Sequence, residues 1–132
     1  MKRAGILALA ILLTLGLATS SSQAAKPKKG KTEGEIEGYR DLVGPGAEFF
    51  GDVHSKRSKC EKRREVTLYA PNGAVMGTET TDATGDWALD IGPAAIVRGN
   101  YVLEVARKRV GSGGKKLVCR AATSPPRFFD EV

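Results

Sequence analysis

From residue 49 onward, apolar and polar positions alternate in short runs, and each run is closed by turn-forming residues. Residues 49 to 55 (Phe-Phe-Gly-Asp-Val-His-Ser) suit a first strand. In residues 64 to 70, Val66 and Leu68 point one way while Glu65, Thr67 and Tyr69 point the other. Pro71-Asn72-Gly73 predicts a hairpin turn that uses positive φ, and the Thr-rich residues 74 to 81 predict a solvent-tolerant return strand. A turn at residues 82 to 86 follows, with Gly85 suited to the left-handed position. Trp87, Leu89 and Ile91 then alternate with Ala88 and Asp90, Tyr101, Leu103 and Val105 alternate with Val102, Glu104 and Ala106, and residues 115 to 122 are expected to form a last strand. No run of period 3.6 follows residue 25, so the expected fold is all-β: an antiparallel Greek-key β-sandwich of six or seven strands over residues 48 to 123. Its inward side chains are Phe49 or Phe50, Val53, Val66, Leu68, Trp87, Leu89, Tyr101, Leu103, Val105, and Leu117 or Val118.

The ends of the chain read differently. Met1-Lys2-Arg3, an apolar run from Ala4 to Ala18 and a small-residue stretch to Ala25 have the three parts of a secretory signal peptide. The apolar run is shorter than the ~20 residues a spanning helix needs. Ser22 and Ala24 suit cleavage after Ala24, with cleavage after Ser22 or Ala25 as alternatives, so residues 1 to 24 are expected to be a signal peptide and the mature chain to have no transmembrane span. Residues 25 to 47 carry a Lys cluster, the acids Glu33, Glu35 and Glu37, and Gly44-Pro45-Gly46, without apolar periodicity. They predict a flexible linker, with Tyr39, Leu42 and Val43 as positions able to dock. Residues 124 to 132, opening Ser124-Pro125-Pro126, predict a C-terminal tail.

Export gives the two cysteines their meaning. Cys60 and Cys119 would enter an oxidising compartment as an even pair, which predicts one disulfide. Zinc through cysteine would need close ligand pairs, and these two stand apart in a chain with one histidine. The 132-residue chain has a formal charge of +6; without Lys2 and Arg3 it keeps 19 basic against 15 acidic residues, or +4. Its length leaves room for one domain and excludes a two-domain enzyme. The localisation expected is secreted, cell envelope or periplasm.

Candidate chemistry is sparse. His54 has Asp52 two residues away on the same strand face, an arrangement that could orient an imidazole, but the Gly-x-Ser-x-Gly nucleophile elbow is missing. A surface histidine on an edge strand is the expectation, and a small secreted hydrolase or ligand carrier using His54 is the alternative. Gly111-Ser112-Gly113-Gly114-Lys115-Lys116 lacks phosphate-loop spacing and reads as a hairpin. Asp82 and Asp86 do not have EF-hand spacing and read as turn residues. The densest basic segment holds Lys56, Arg57, Lys59, Lys62, Arg63 and Arg64, interrupted by Glu61; it is the candidate contact with an anionic partner. No catalytic residue, metal or cofactor is expected. The partner stays open between a cell-envelope polymer and another exported protein, and no specific nucleic acid is expected because basic residues are not interleaved with aromatics.

Phe50-Gly51-x-Val53, Val66-x-Leu68, Gly73, Thr81-Asp82-x-Thr84-Gly85-x-Trp87-x-Leu89 and Gly99-x-Tyr101-x-Leu103-x-Val105 occur in an order that resembles the carboxypeptidase regulatory-like and transthyretin-like (prealbumin-like) domains, in the variety that bacteria export as small standalone proteins. The resemblance covers about residues 48 to 123. It implies a Greek-key sandwich used as a non-catalytic binding, structural or stabilising module. A urate-pathway hydrolase branch of that family uses several histidines and ends in Tyr-Arg-Gly-Ser, whereas this chain has one histidine and ends Phe128 to Val132.

Overall fold

A computed structural model describes residues 28–42, 46–92, 96–111 and 116–130. The expected signal peptide and its cleavage site lie outside these residues, as do Val43 and positions 112–115 of the Gly-Ser-Gly-Gly-Lys segment. The strands are β1 (Lys28–Gly30), β2 (Glu33–Asp41), β3 (Ala47–His54), β4 (Glu65–Tyr69), β5 (Val75–Thr80), β6 (Asp86–Ile91), β7 (Gly99–Val105), β8 (Lys108–Val110), β9 (Leu117–Cys119), β10 (Ala122–Thr123) and β11 (Arg127–Phe129), with a 3-10 turn at Ser58–Cys60.

The protein is an all-β sandwich. One sheet has the order β2-β3-β6, and the facing sheet has the order β10-β7-β4-β5, with β11 pairing beside β10 on the same edge of β7. β4 and β5 form a hairpin in the facing sheet, and the turn after β5 carries the chain across to β6, which pairs antiparallel with β3. A small third sheet, β1-β9-β8, includes the parallel β1–β9 pair. The alternation read from the sequence holds through the centre: Val66, Leu68, Trp87, Leu89, Ile91, Tyr101, Leu103 and Val105 are all buried, and of the first-strand pair Phe49 is the inward one. In the hairpin after β4, Gly73 takes the positive φ (+84°), while Asn72 caps the turn with its side chain by accepting from the Ala74 N–H at 3.0 Å. Gly85 is left-handed as expected, at +90°.

Two stretches expected to lie outside the domain belong to it. Most of the described part of the expected linker forms β1 and β2, and Ile36 on β2 is 2% exposed within the core. Its period of two is hidden because glycine occupies the inward position next to Ile36. A Cβ on Gly34 would stand 2.8 Å from Val105 Cγ2, so the strand can approach β7 only without a side chain there. A register shift at Glu37 further blurs the pattern. The expected tail supplies β11, whose Phe129 inserts among Tyr39, Phe49 and Tyr101 with ring centroids 5.3 to 5.6 Å apart in edge-on geometry. Neither strand is legible by periodicity: β2 buries Ile36 and packs Tyr39 on either side of its register shift, and β11 buries only Phe129. The last predicted strand is split into β9 and β10, with the backbone between them turned over Arg64.

Candidate functional site

The basic segment leaves β3 at Ser55, whose hydroxyl donates to the Lys31 carbonyl at 2.8 Å, and passes through the 3-10 turn into β4. Cys60 at the end of that turn is bonded to Cys119 on β9, with both residues fully buried. The two sulfurs, Leu117 and Val110 make a small apolar cluster separate from the main core. Gly30 on β1 lies directly against it: an added Cβ would be 2.8 Å from Cys60 Sγ. The pairing drawn from the even cysteine count is therefore present.

Five of the six basic positions singled out in the sequence, Lys56, Arg57, Lys59, Lys62 and Arg63, are exposed. Arg64 is not: it is 0% exposed, and it has to be removed from the contact set. Arg63 explains the change of direction, with a left-handed φ of +51° that sends its own side chain to solvent and the next one inward. All five guanidinium N–H donors of Arg64 are used. Nε and one Nη2 donor go to the Ala106 carbonyl, the other Nη2 donor to Arg120 O, and Nη1 to Cys60 O and Thr32 Oγ1, at 2.6 to 3.2 Å. Its bonded partners are neutral oxygens with no carboxylate among them, so burial pulls its pKa below the usual arginine value. The residue joins the β1–β2 turn, the 3-10 turn, the β7–β8 connection and the β9–β10 connection at one point. A single-position reading could not find this role, because nothing local distinguishes Arg64 from its neighbours in a run of cations.

This hub gathers further cations around the exposed loop. The Lys108 ammonium donates to the carbonyls of Lys62 and Arg63 at 3.1 and 3.2 Å. Burial, and then the charges of Arg64, Arg63 and Lys62, push its pKa down. Lys29 and Lys31 share one surface depression with Lys56 and Arg57. Charge brought together from β1, the loop and β8 thus forms one electropositive end, which the sequence shows only as separate short runs.

The outer face of the β2-β3-β6 sheet is the opposite. Glu35 and Glu37 from β2, Glu48 and Asp52 from β3, and Asp86 and Asp90 from β6 lie on it, with Arg40 paired to Glu48. Asp52 is the most enclosed of these, and its Oδ1 is shut off from solvent with no donor. Burial, and then the need to share a proton with Glu37, push its pKa up to about 6, against the opposing pull of His54. His54 Nε2 lies 2.9 Å from Asp52 Oδ2. The pair foreseen in the sequence is therefore formed, but His54 ends the central strand of its sheet rather than an edge strand. The adjacent Ser55 hydroxyl is committed to the Lys31 carbonyl. Asp82 and Asp86 act as turn residues: the Thr84 hydroxyl donates to Asp82 Oδ1 at 2.8 Å and, with the backbone N–H groups of Thr84 and Asp86 at 2.8 and 3.0 Å, holds that carboxyl below the usual range.

Comparison with family models, with curated proteins and with solved structures finds no match for this chain. Among the described residues no helix is long and apolar enough to cross a membrane.

Proposed function

We propose that the chain is an exported, non-catalytic β-sandwich module that binds an anionic polymer of the cell envelope through its basic end. The observation that carries this reading is the convergence of Lys56, Arg57, Lys59, Lys62 and Arg63 with Lys29, Lys31 and Lys108 on one end of the molecule, where cations outnumber the nearby Glu33 and Glu61, while most other carboxylates of β2, β3 and β6 lie on the outer sheet face. A surface that only had to stay soluble would intersperse the two signs. A patch of one sign raises the local concentration of a polyanion and speeds its encounter. The loop is also stiffened by the disulfide and by the Arg64 bonds, so little ordering entropy is lost when it binds. The signal-like first 24 residues and the cystine agree with work outside the cytoplasm. The resemblance to exported transthyretin-like domains agrees with a non-catalytic module.

Dextran sulfate is a suitable probe, with affinity followed against salt concentration. Wild-type protein should bind at ~50 mM salt and lose affinity steeply with log salt, and the Lys56→Glu/Arg57→Glu/Lys59→Glu triple variant should bind at least about tenfold more weakly with a shallower slope. Equal affinity and equal slope for the two proteins, or no binding by the wild type at low salt, would exclude this function for the basic end.

A further inference from the structure

We infer that Glu35, Asp52 and His54 form a site for a divalent transition-metal ion of the zinc class, on the outer face of the β2-β3-β6 sheet where it adjoins the basic end, His54 bordering the same depression as Lys31, Lys56 and Arg57. The three side chains come together through strand geometry. Asp52 and His54 are two apart on β3 and so share a face, and the β2–β3 register sets Glu35 directly opposite Asp52. One ligand atom from each can be chosen so that all three lie within 4.8 Å of one another, and His54 Nε2 is already 2.9 Å from Asp52 Oδ2. Zinc with bonds of about 2.0–2.2 Å needs ligand atoms about 3.3–3.6 Å apart, so His54 and Asp52 open slightly from their contact while Glu35 turns inward to complete the set. Glu35 and His54 are free to make these movements: Glu35 is exposed and the His54 side chain is 59% exposed, while Asp52, at 14%, is the fixed anchor.

An independent feature points the same way. Asp52 Oδ1 is enclosed, has no hydrogen-bond donor, and stands among like charges from Glu35 and Glu37, with only the imidazole opposing them. A buried carboxylate oxygen without a donor is costly, and a cation on the cluster would compensate it. Two carboxylates with a neutral imidazole balance the charge of a 2+ ion. The imidazole nitrogen selects zinc-class ions over calcium and magnesium, which take oxygen ligands. Three protein ligands leave the fourth position open, and Glu35 and His54 both border a groove of about 600 Å³ that reaches Pro125, Pro126 and Arg127. A small anionic or carbonyl ligand could reach the metal from there.

The chain offers a clean test, because His54 is its only histidine and its two cysteines are bonded to each other. Untagged, disulfide-bonded protein is titrated with zinc chloride by calorimetry in a non-chelating buffer, and the imidazole resonances are followed by NMR. One zinc per chain should bind with shifted His54 resonances, and calcium or magnesium should give no comparable heat. His54→Ala should weaken zinc at least about tenfold and Glu35→Gln by several-fold. Both side chains are exposed, so circular dichroism should show these variants folded. Zinc affinity unchanged in His54→Ala, no shift of the imidazole, or no binding up to ~1 mM zinc would each overturn the assignment. Polymer binding by the Lys56→Glu/Arg57→Glu/Lys59→Glu variant does not enter these readouts, so the two proposals fail separately.

Discussion

The sandwich and the basic end are held together by different forces. Between the two large sheets the contacts are apolar: Phe49, Tyr101 and Phe129 stack edge-on or tilted, with Val53, Val66, Leu68, Trp87 and Leu103 around them. At the basic end the apolar contribution shrinks to Leu117, Val110 and the cystine, and a fully buried guanidinium bridges three backbone carbonyls and the Thr32 hydroxyl. Hydrophobic burial is non-directional and tolerates similar shapes, whereas the arginine works only where each carbonyl sits at the end of an N–H. A region that concentrates like charge lacks the apolar area to hold itself, so covalent and directional bonds replace it. The consequence is a rigid platform for exposed lysines and arginines at a place where their repulsion would otherwise open the structure.

Three experiments break or sharpen this contrast. The largest effect is expected from Arg64→Ala, which strands the carbonyls of Cys60, Ala106 and Arg120; it should cost about 3–5 kcal/mol in urea unfolding, and Arg64→Lys should recover only part of that because an ammonium cannot reproduce the five-donor fork. Next, replacing Cys60 and Cys119 together by alanine should cost about 2–4 kcal/mol, since the bond closes residues 59 apart in sequence. Hydrogen exchange of that variant should speed up in β1, β8 and β9 while β3, β4 and β7 stay protected. Uniform acceleration in all strands would show that the two regions unfold as one unit.

The smallest effect concerns the acidic face. Asp52 carries a proton up to about pH 6 in the folded chain but only to about 3.8 when exposed, so the native state binds more protons between those values. Stability contributed at this position is therefore lost as pH rises from about 4 to 6, and the cost is fully present above about 6. The groups facing Asp52 are Glu35 and Glu37 from β2, His54 on its own strand and Asp86 from β6. Asp52→Asn, compared with wild type in the presence of a chelator, should be more stable by about 1 kcal/mol at pH 7 and equal to it below pH 4. A stability difference that does not change between pH 4 and 7 would contradict the shifted carboxyl.

What could be read from the residue order follows the strength of the local signal. The strands whose inward positions are all large and apolar, such as Trp87-x-Leu89-x-Ile91 and Tyr101-x-Leu103-x-Val105, are evident from a period of two. β2 and β11 are not, because the first uses glycine where it crosses β7 and the second buries only Phe129. The site divides in the same way. The cystine follows from counting, and the exposed loop cations follow from their density. The hub at Arg64 and the meeting of Glu35 with Asp52 and His54 depend on register and on backbone direction across strands 17 or more residues apart in sequence.

The sequence by itself thus determined the all-β class, the central inward faces, the left-handed glycines of two turns and the cysteine pairing, since each depends on residues close in the chain or on a simple count. Only the tertiary structure decided which cations reach solvent, which one is buried as a structural bridge, and that β1, β2 and β11 belong to the domain. Those outcomes turn on long-range pairing, where a shift of one residue exchanges the inside and outside of a strand.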